Sequence, residues 1–181
     1  MPRILYLLIF LLMLYLFITQ TNYIGRFIYP YTYREVIVEE AKKNNLDPLL
    51  VAAVVWVESS YNDNAESAKG ARGLMQVMPE TGLWAAEQIG MENFSKDELF
   101  DPYINITIGT WYLGDLFRQF DGNPYVALAA YNGGRGHVRM WLQEGIWDGS
   151  RESLADIPFP ETRSFVLKVE QTYKRYNQIY N

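Results

Sequence analysis

Three dipeptides, Asp47-Pro48, Asp101-Pro102 and Asn123-Pro124, constrain the fold of this chain more than any other feature. An Asp or Asn side chain caps the free N–H groups at a helix N-terminus, and Pro fits the first helical turn because it needs no N–H partner. Helical periodicity follows each dipeptide, and strand patterns are nearly absent. The pattern therefore predicts a small all-α domain. Its predicted helices span about residues 34–45, 48–58, 79–89, 102–120, 125–131, 138–143 and 162–180.

Charge and residue usage exclude several classes of function. The chain has 181 residues and a net charge of −5, which argues against a nucleic-acid partner, because phosphates require a basic surface. It contains no cysteine, so disulfides, zinc–thiolate sites, cysteine nucleophiles and an N-terminal lipid-modified cysteine are excluded. His137 is the single histidine and has no evident companion ligands. We therefore expect neither a metal nor a cofactor.

The N-terminus is strongly apolar, with no charged residue from Ile4 to Ile18. Two readings compete for residues 1–22. In one, Arg3 and the apolar run form a cleaved signal peptide, although Thr19-Gln20-Thr21 is a poor cleavage site. In the other, the segment is an uncleaved signal-anchor that crosses the membrane as a hydrophobic helix. Either reading predicts export of the remaining chain, with an aromatic linker at 23–33 near the lipid headgroups and a globular domain at 34–181.

Glu58 follows an unbroken apolar run at 49–57. Loss of hydration in such surroundings disfavours the charged carboxylate and raises its pKa, and the end of a helix adds to this effect. A carboxyl group that stays protonated near neutral pH can donate a proton to a leaving oxygen, as cleavage of a glycosidic bond requires. Perturbed carboxylates also occur for structural reasons, so local physics alone leaves Glu58 as a candidate general acid.

Four stretches together resemble a known family. They are ESSYN at 58–62, GLMQVMP at 73–79, AYNGG at 130–134 and IPFPETRSFV at 157–166. In order and spacing they resemble the four motif regions of the soluble lytic transglycosylase (SLT) domain family. The resemblance covers about residues 34–176. It implies a lysozyme-like fold and cleavage of bacterial peptidoglycan.

The resemblance also implies roles for individual residues. Glu58 matches the single catalytic acid and base. This chain has Phe165 where the family commonly has Tyr, so a hydroxyl contact is lost, or Tyr173 or Tyr176 supplies it. The positions implied to bind substrate are Ser59, Ser67, Gly73, Leu74, Met75, Gln76, Met78, Tyr131, Asn132, Glu161 and Tyr173.

The resulting hypothesis is a lytic transglycosylase that cleaves the MurNAc-β-1,4-GlcNAc bond of peptidoglycan without water and forms 1,6-anhydroMurNAc. One alternative keeps the fold but is a lysozyme-type hydrolase. The other is a non-catalytic, membrane-anchored protein that binds the cell wall. The expected location is the extracytoplasmic face of the cytoplasmic membrane, or outside it if the N-terminal segment is cleaved.

Overall fold

The computed structural model describes residues 2–181, and it describes side chains for all of these except 2, 3, 14 and 16–23. Among the described residues the secondary structure is helical, with no β-strand, which confirms the predicted all-α class. The α-helices are α1 (Pro2–Ile28), α2 (Arg34–Lys43), α3 (Pro48–Ser59), α4 (Pro79–Gln88), α5 (Pro102–Gln119), α6 (Pro124–Gly133), α7 (Arg135–Gln143) and α8 (Pro160–Tyr180). Two short 3-10 helices span Lys96–Phe100 and Leu154–Asp156.

The three Asx-Pro dipeptides start α3, α5 and α6 as predicted. Asp101 accepts hydrogen bonds from the backbone N–H groups of Tyr103 and Ile104 at 2.9 and 3.0 Å. Asp47 caps α3 through Leu49 N at 2.8 Å, and Asn123 caps α6 in the same way. Each side chain satisfies donors that the first helical turn leaves free.

The predicted boundaries were less accurate at the junction between α6 and α7 and before α5. Helix α6 continues to Gly133, and α7 begins at Arg135, three residues before the predicted start. Gly134 separates them with a φ of 89°, a conformation that glycine adopts without strain. The 3-10 helix at Lys96–Phe100 was not predicted, although Ser95 and Glu98 form a capping box that marks its start.

Helix α3 lies at the centre of the domain. Its residues from Val51 to Val55 are fully buried, and it packs against α8 and α2. Helix α5 packs against α2, α4 and α6, and α6 packs against α8, so these helices enclose the core. A helix that is apolar all round can only be stable where neighbours cover every face. The end of α3, with Glu58, therefore emerges from the middle of the fold.

The residues after α1 pack on the domain. Tyr176 donates a hydrogen bond to the carbonyl of Pro30 at 2.6 Å, and Tyr180 donates one to the carbonyl of Tyr29 at 2.7 Å. The ring of Tyr31 contacts the rings of both Tyr176 and Tyr180. Residues 29–33 thus belong to the packed domain, and the predicted linker is shorter than 23–33 because α1 extends to Ile28.

The predicted anchor corresponds to the first part of α1, where the described apolar side chains from Ile4 to Met13 are exposed. The side chains at 14 and 16–22 lie outside the described residues. Of the helices whose residues the structure describes, none combines the length and the apolar character needed to cross a bilayer.

Asp101→Ala should lower the free energy of unfolding by about 1 kcal/mol, because two N–H groups of α5 lose their partner. Chemical denaturation of the purified protein measures this change. Asp156→Ala is the matched control, since this exposed carboxylate has no side-chain hydrogen-bond partner among the described residues. Equal losses in the two variants would contradict a capping role for Asp101.

Candidate active site

A pocket of about 320 Å³ opens at the end of α3. Four segments meet there: the last turn of α3, the loop between α3 and α4, the end of α6 and the start of α8. Seven of the residues predicted to act on substrate line this pocket. They are Glu58, Ser67, Gln76, Met78, Tyr131, Asn132 and Glu161.

Glu58 is the carboxyl group in the most desolvated position of the pocket. Burial raises its pKa to about 8, and the negative charge of Glu161 adds to the increase. Within the part of the chain that the structure describes, its carboxyl has no hydrogen-bond or ion-pair partner. The predicted rise in pKa is therefore confirmed, and Glu58 holds a proton at neutral pH.

Helix α3 stops abruptly after Ser59. Ser60 and Tyr61 have φ values of 50° and 64°, in the left-handed region that non-glycine residues rarely adopt. The turn lets the chain leave the helix one residue after Ser59, so that Glu58 stays in its last turn and faces the pocket. Strained backbone of this kind is often found at functional sites.

Tyr131 connects α6 to the loop opposite. Its hydroxyl donates a hydrogen bond to the carbonyl of Met75 at 2.7 Å. Burial first, and then the charge of Glu58, raise the pKa of the Tyr131 phenol above its usual range, so it remains a neutral donor. Its ring stacks on Phe165, with centroids 6.3 Å apart and an interplanar angle of 10°.

Gln76 has a φ of 46°, and its side chain folds back on its own loop. Nε2 donates to the carbonyls of Ala65 and Gly73 at 3.1 and 3.0 Å. Both amide hydrogens are thus used, because each contacts a group that can only accept. The Gln76 carbonyl oxygen has no donor partner among the described residues, which makes it the group available to a ligand.

The mouth of the pocket carries an ion pair. Lys69 Nζ lies 3.3 Å from Glu161 Oε2, and both side chains are more than two-thirds exposed. Deeper in, Thr162 donates to the side-chain oxygen of Asn132 at 2.9 Å. Gly133 permits this approach, because a Cβ there would lie 2.9 Å from the Thr162 hydroxyl oxygen.

Other predicted residues do not line the pocket. Ser59 bonds back to the carbonyl of Val55 at 3.2 Å. The buried Gly73, Leu74 and Met75 form the framework of the loop that carries Gln76.

Tyr173 is the clearest correction. Its hydroxyl bonds to Asp47, the cap at the opposite end of α3, about 16 Å from Glu58 along a rise of 1.5 Å per residue. Tyr176 bonds to Pro30, so neither hydroxyl replaces the one that Phe165 lacks. The expectation failed because helical spacing on α8 alone does not tell which end of α3 a side chain reaches.

Sequence reasoning missed Lys69, Thr162 and Asn105. Lys69 lies between the first two motifs and Thr162 lies within the last one, and neither residue type carries a signal of its own. Asn105 carried a usable signal, since it is a polar residue on the inner face of an apolar helix, and it is fully buried. Among the described residues, no group of three or more His, Cys, Asp or Glu side chains could hold a metal ion.

The architecture and the pocket define an all-α domain of the lysozyme-like type, with one desolvated glutamate at the end of a central helix. The chain belongs to the family described as "Transglycosylase SLT domain", whose model matches residues 35–153.

Similar proteins carry related names. Soluble lytic murein transglycosylase of Escherichia coli (strain K12) is 35% identical over 154 residues, which cover 82% of this chain and 24% of that protein. Membrane-bound lytic murein transglycosylase C of Edwardsiella ictaluri is 30% identical over 175 residues, covering 81% and 47%. The crystal structure of the 70 kDa soluble lytic transglycosylase Slt70 from Escherichia coli superimposes with a TM-score of 0.80 at 31% identity, over 85% of this chain and 25% of that one. This chain thus spans about a quarter of the length of the soluble relatives.

Glu58→Gln should stabilise the fold increasingly as pH rises. Between the ordinary glutamate pKa and about 8, the folded protein must hold a proton that the unfolded chain releases, so wild-type stability falls over this range. The amide of Glu58→Gln cannot ionise. We therefore expect the difference in free energy of unfolding between this variant and the wild type to be about 1–3 kcal/mol larger at pH 8 than at pH 4. Each unit of pKa shift is worth about 1.4 kcal/mol, and partial exposure of the site reduces the total.

Denaturation at several pH values measures this difference. Glu170→Gln is a control of opposite sign, because Arg151 and Lys174 lower the pKa of Glu170 and its ionised form stabilises the fold at neutral pH. A Glu58→Gln advantage that stays constant with pH would contradict the raised pKa.

Proposed function

We propose that this protein is a peptidoglycan lytic transglycosylase. It cleaves the MurNAc-β-1,4-GlcNAc bond and closes the muramoyl sugar into 1,6-anhydroMurNAc. The observation that carries the proposal is the state of Glu58: within the described pocket it is the carboxyl that is desolvated, unpaired and protonated at neutral pH. Family membership and the names of the relatives agree with it.

In the first step Glu58 acts as the general acid. Its proton passes to the oxygen that links the two sugars, and the bond from that oxygen to C1 of the muramoyl sugar breaks. Positive charge develops at C1, where the 2-acetamido group of the same sugar can support it. Glu58 is left as a carboxylate in a site that disfavours its charge, which drives it to recover a proton.

In the second step the same carboxylate acts as the base. It takes the proton of the C6 hydroxyl, and the C6 oxygen bonds to C1. The catalyst is thereby restored and no water is consumed. Because nucleophile and electrophile belong to one sugar, the ring closure benefits from the high effective concentration of intramolecular reactions.

The alternative, hydrolysis, would normally require a second carboxylate. It stands about 5 Å from the acid in retaining enzymes and roughly 6.5–9.5 Å from it in inverting ones, where it activates water. Glu161 is the other carboxylate of the described pocket, and it is exposed and paired with Lys69. Asp63 and Glu66 lie outside the pocket and contact Tyr33 and Arg72. One working acid fits a transglycosylase better than a hydrolase.

The remaining pocket residues have complementary hydrogen-bonding capacity. The Ser67 hydroxyl accepts the N–H of Ala71 at 2.9 Å, which leaves its own hydrogen free to donate. The Gln76 carbonyl is free to accept from a sugar hydroxyl or acetamido N–H. Asn132 is oriented by Thr162, so it can present its amide N–H group to the glycan. We assign these three residues to binding and orientation of the sugar.

We further propose that the enzyme acts at the extracytoplasmic face of the cytoplasmic membrane, held there by residues 1–22, or is released if that segment is cleaved. The relative named membrane-bound lytic murein transglycosylase C is consistent with attachment, and the relatives named soluble are consistent with release.

Digestion of purified peptidoglycan should yield muropeptides that end in 1,6-anhydroMurNAc, detected by liquid chromatography and mass spectrometry. Glu58→Gln should lower their rate of formation by about 10²–10⁴-fold, the usual worth of a positioned acid–base group. Asp63→Asn is the matched carboxylate control and should retain wild-type activity. Reducing ends in place of anhydro ends would indicate the hydrolase. Unchanged cleavage by Glu58→Gln would contradict both enzyme mechanisms, because each requires Glu58 as the acid.

The pH dependence of kcat/KM should also report Glu58. The rate constant should be level below the pKa and fall about tenfold per pH unit above about 8, because only the protonated acid starts the reaction. In Glu161→Gln the midpoint of this fall should move to lower pH, since Glu161 contributes to the raised pKa of Glu58. A midpoint that stays in place would contradict this electrostatic coupling.

A further inference from the structure

Asn105 is a fully buried polar residue in the first turns of α5. Its amide contacts three backbone groups on two different segments. Nδ2 donates to the carbonyl of Leu99 at 2.7 Å and to the carbonyl of Arg72 at 2.9 Å, and Oδ1 accepts the N–H of Met75 at 2.8 Å. Both amide hydrogens are thus used inside the protein, where each bond matters because water cannot replace it.

The backbone around Asn105 fits this amide closely. Gly73 has a φ of 71°, and a Cβ there would lie 2.2 Å from the carbonyl oxygen of Leu99 and 2.4 Å from Nδ2 of Asn105. Only a glycine lets the loop and α5 approach to this distance. The backbone of the segment from Arg72 to Met75 is therefore hydrogen-bonded to α5 through the Asn105 side chain, and Gly73 provides the space.

Met75 joins this contact to the pocket. Its N–H is held by Asn105, and its carbonyl accepts the hydrogen bond of Tyr131. A displacement of Met75 would move the acceptor that fixes the Tyr131 ring, and it would also move the neighbouring Gln76. Tyr131 and Glu58 line the same pocket, so a shift of the Tyr131 ring changes the surroundings of the proposed acid.

We propose that Asn105 is a positioning residue for the transglycosylase reaction: through the backbone of Met75 it sets Tyr131 and Gln76 against the glycan and Glu58. The inference rests on the proposed function, because it assigns a role in that reaction. Asn105 is not among the residues that line the pocket, and it acts through the loop alone.

Asn105→Asp tests the proposal with minimal change in shape. The retained oxygen still accepts the Met75 N–H, but the second carboxylate oxygen now faces two carbonyl oxygens that it repels. We expect kcat at pH 8 to fall about 10²-fold, the typical cost of misplacing a catalytic group by about 1 Å. KM should change much less than kcat, because Ser67 and Asn132 keep their places and Gln76 alone among the proposed sugar-binding residues moves with Met75.

Protonation should partly restore this variant. In its protonated form the carboxyl introduced by Asn105→Asp can donate to one of the two carbonyls, and its burial beside them raises its pKa. The ratio of variant kcat to wild-type kcat should therefore increase about tenfold as pH falls from 8 to 5, since a single ionising group changes population tenfold per pH unit near its pKa. If Asn105 only stabilised the fold, the ratio of variant kcat to wild-type kcat at each pH would equal the fraction of the variant that is folded at that pH.

Asn44→Asp is the matched control. Asn44 is also buried, and its Nδ2 donates to a backbone carbonyl, that of Glu40, at 2.9 Å. It lies after α2, away from the loop that carries Gln76. We expect a comparable loss of stability with wild-type kcat and no recovery at low pH.

A double-mutant cycle with Tyr131→Phe tests whether Asn105 acts on catalysis through the hydrogen bond between the Met75 carbonyl and Tyr131. If Asn105 acts through the Met75 carbonyl, Asn105→Asp should cost much less in the Tyr131→Phe background than in the wild type. If Asn105→Asp does not fold, Asn105→Ser enters the same cycle. Additive effects, or a pH ratio like that of Asn44→Asp, would overturn the inference. Wild-type protein that releases no anhydro ends would instead overturn the proposed function, whatever the variants do.

Discussion

The burial of α3 is the constraint on which the rest of the structure depends. A helix that is apolar all round must be covered on every side, and α3 is buried against α8 and α2, which α5 and α6 in turn pack against. Glu58 stands where this helix reaches the surface, and it therefore inherits the low polarity of the core without a partner to neutralise it. The same packing that stabilises the domain raises the pKa of its proposed acid to about 8. Burial of Glu58 therefore lowers the stability of the folded protein at neutral pH, and it leaves Glu58 able to donate a proton.

The opposite wall of the pocket is a loop that needs support from outside. The segment 70–78 has no regular secondary structure of its own to hold it, apart from isolated bridges that Arg72 makes with Glu66 and Val77. Beyond the backbone bonds of these bridges, Asn105 on α5 and Tyr131 on α6 bind its backbone from outside, and its own Gln76 amide binds it from within. The proposed sugar-binding groups thus depend on side chains outside the loop, which is how a loop can hold groups as precisely placed as catalysis requires.

The parts of the site that sequence reasoning predicted are those whose physical cause is local. The apolar residues before Glu58 are adjacent in sequence, so its loss of hydration follows from the chain alone. The caps of α3, α5 and α6 are equally local. Tyr173 was assigned wrongly and Asn105 was missed because their partners, Asp47 and the loop from Arg72 to Met75, lie 126 and about 30 residues away along the chain. Helical periodicity predicts which residues share a face of one helix, but it does not predict contacts with segments so remote in the chain.

By itself the sequence determined the helical class, the helix starts, the acid at the end of the central helix and, through the four motifs, the family. These depend on neighbouring residues and on their order, which the chain states directly. Tertiary structure alone decided that Lys69 pairs with Glu161 and that Asn105 holds the loop that faces Glu58. Each of these depends on a distance between segments that are remote in the chain, and such a distance exists only once the core has packed.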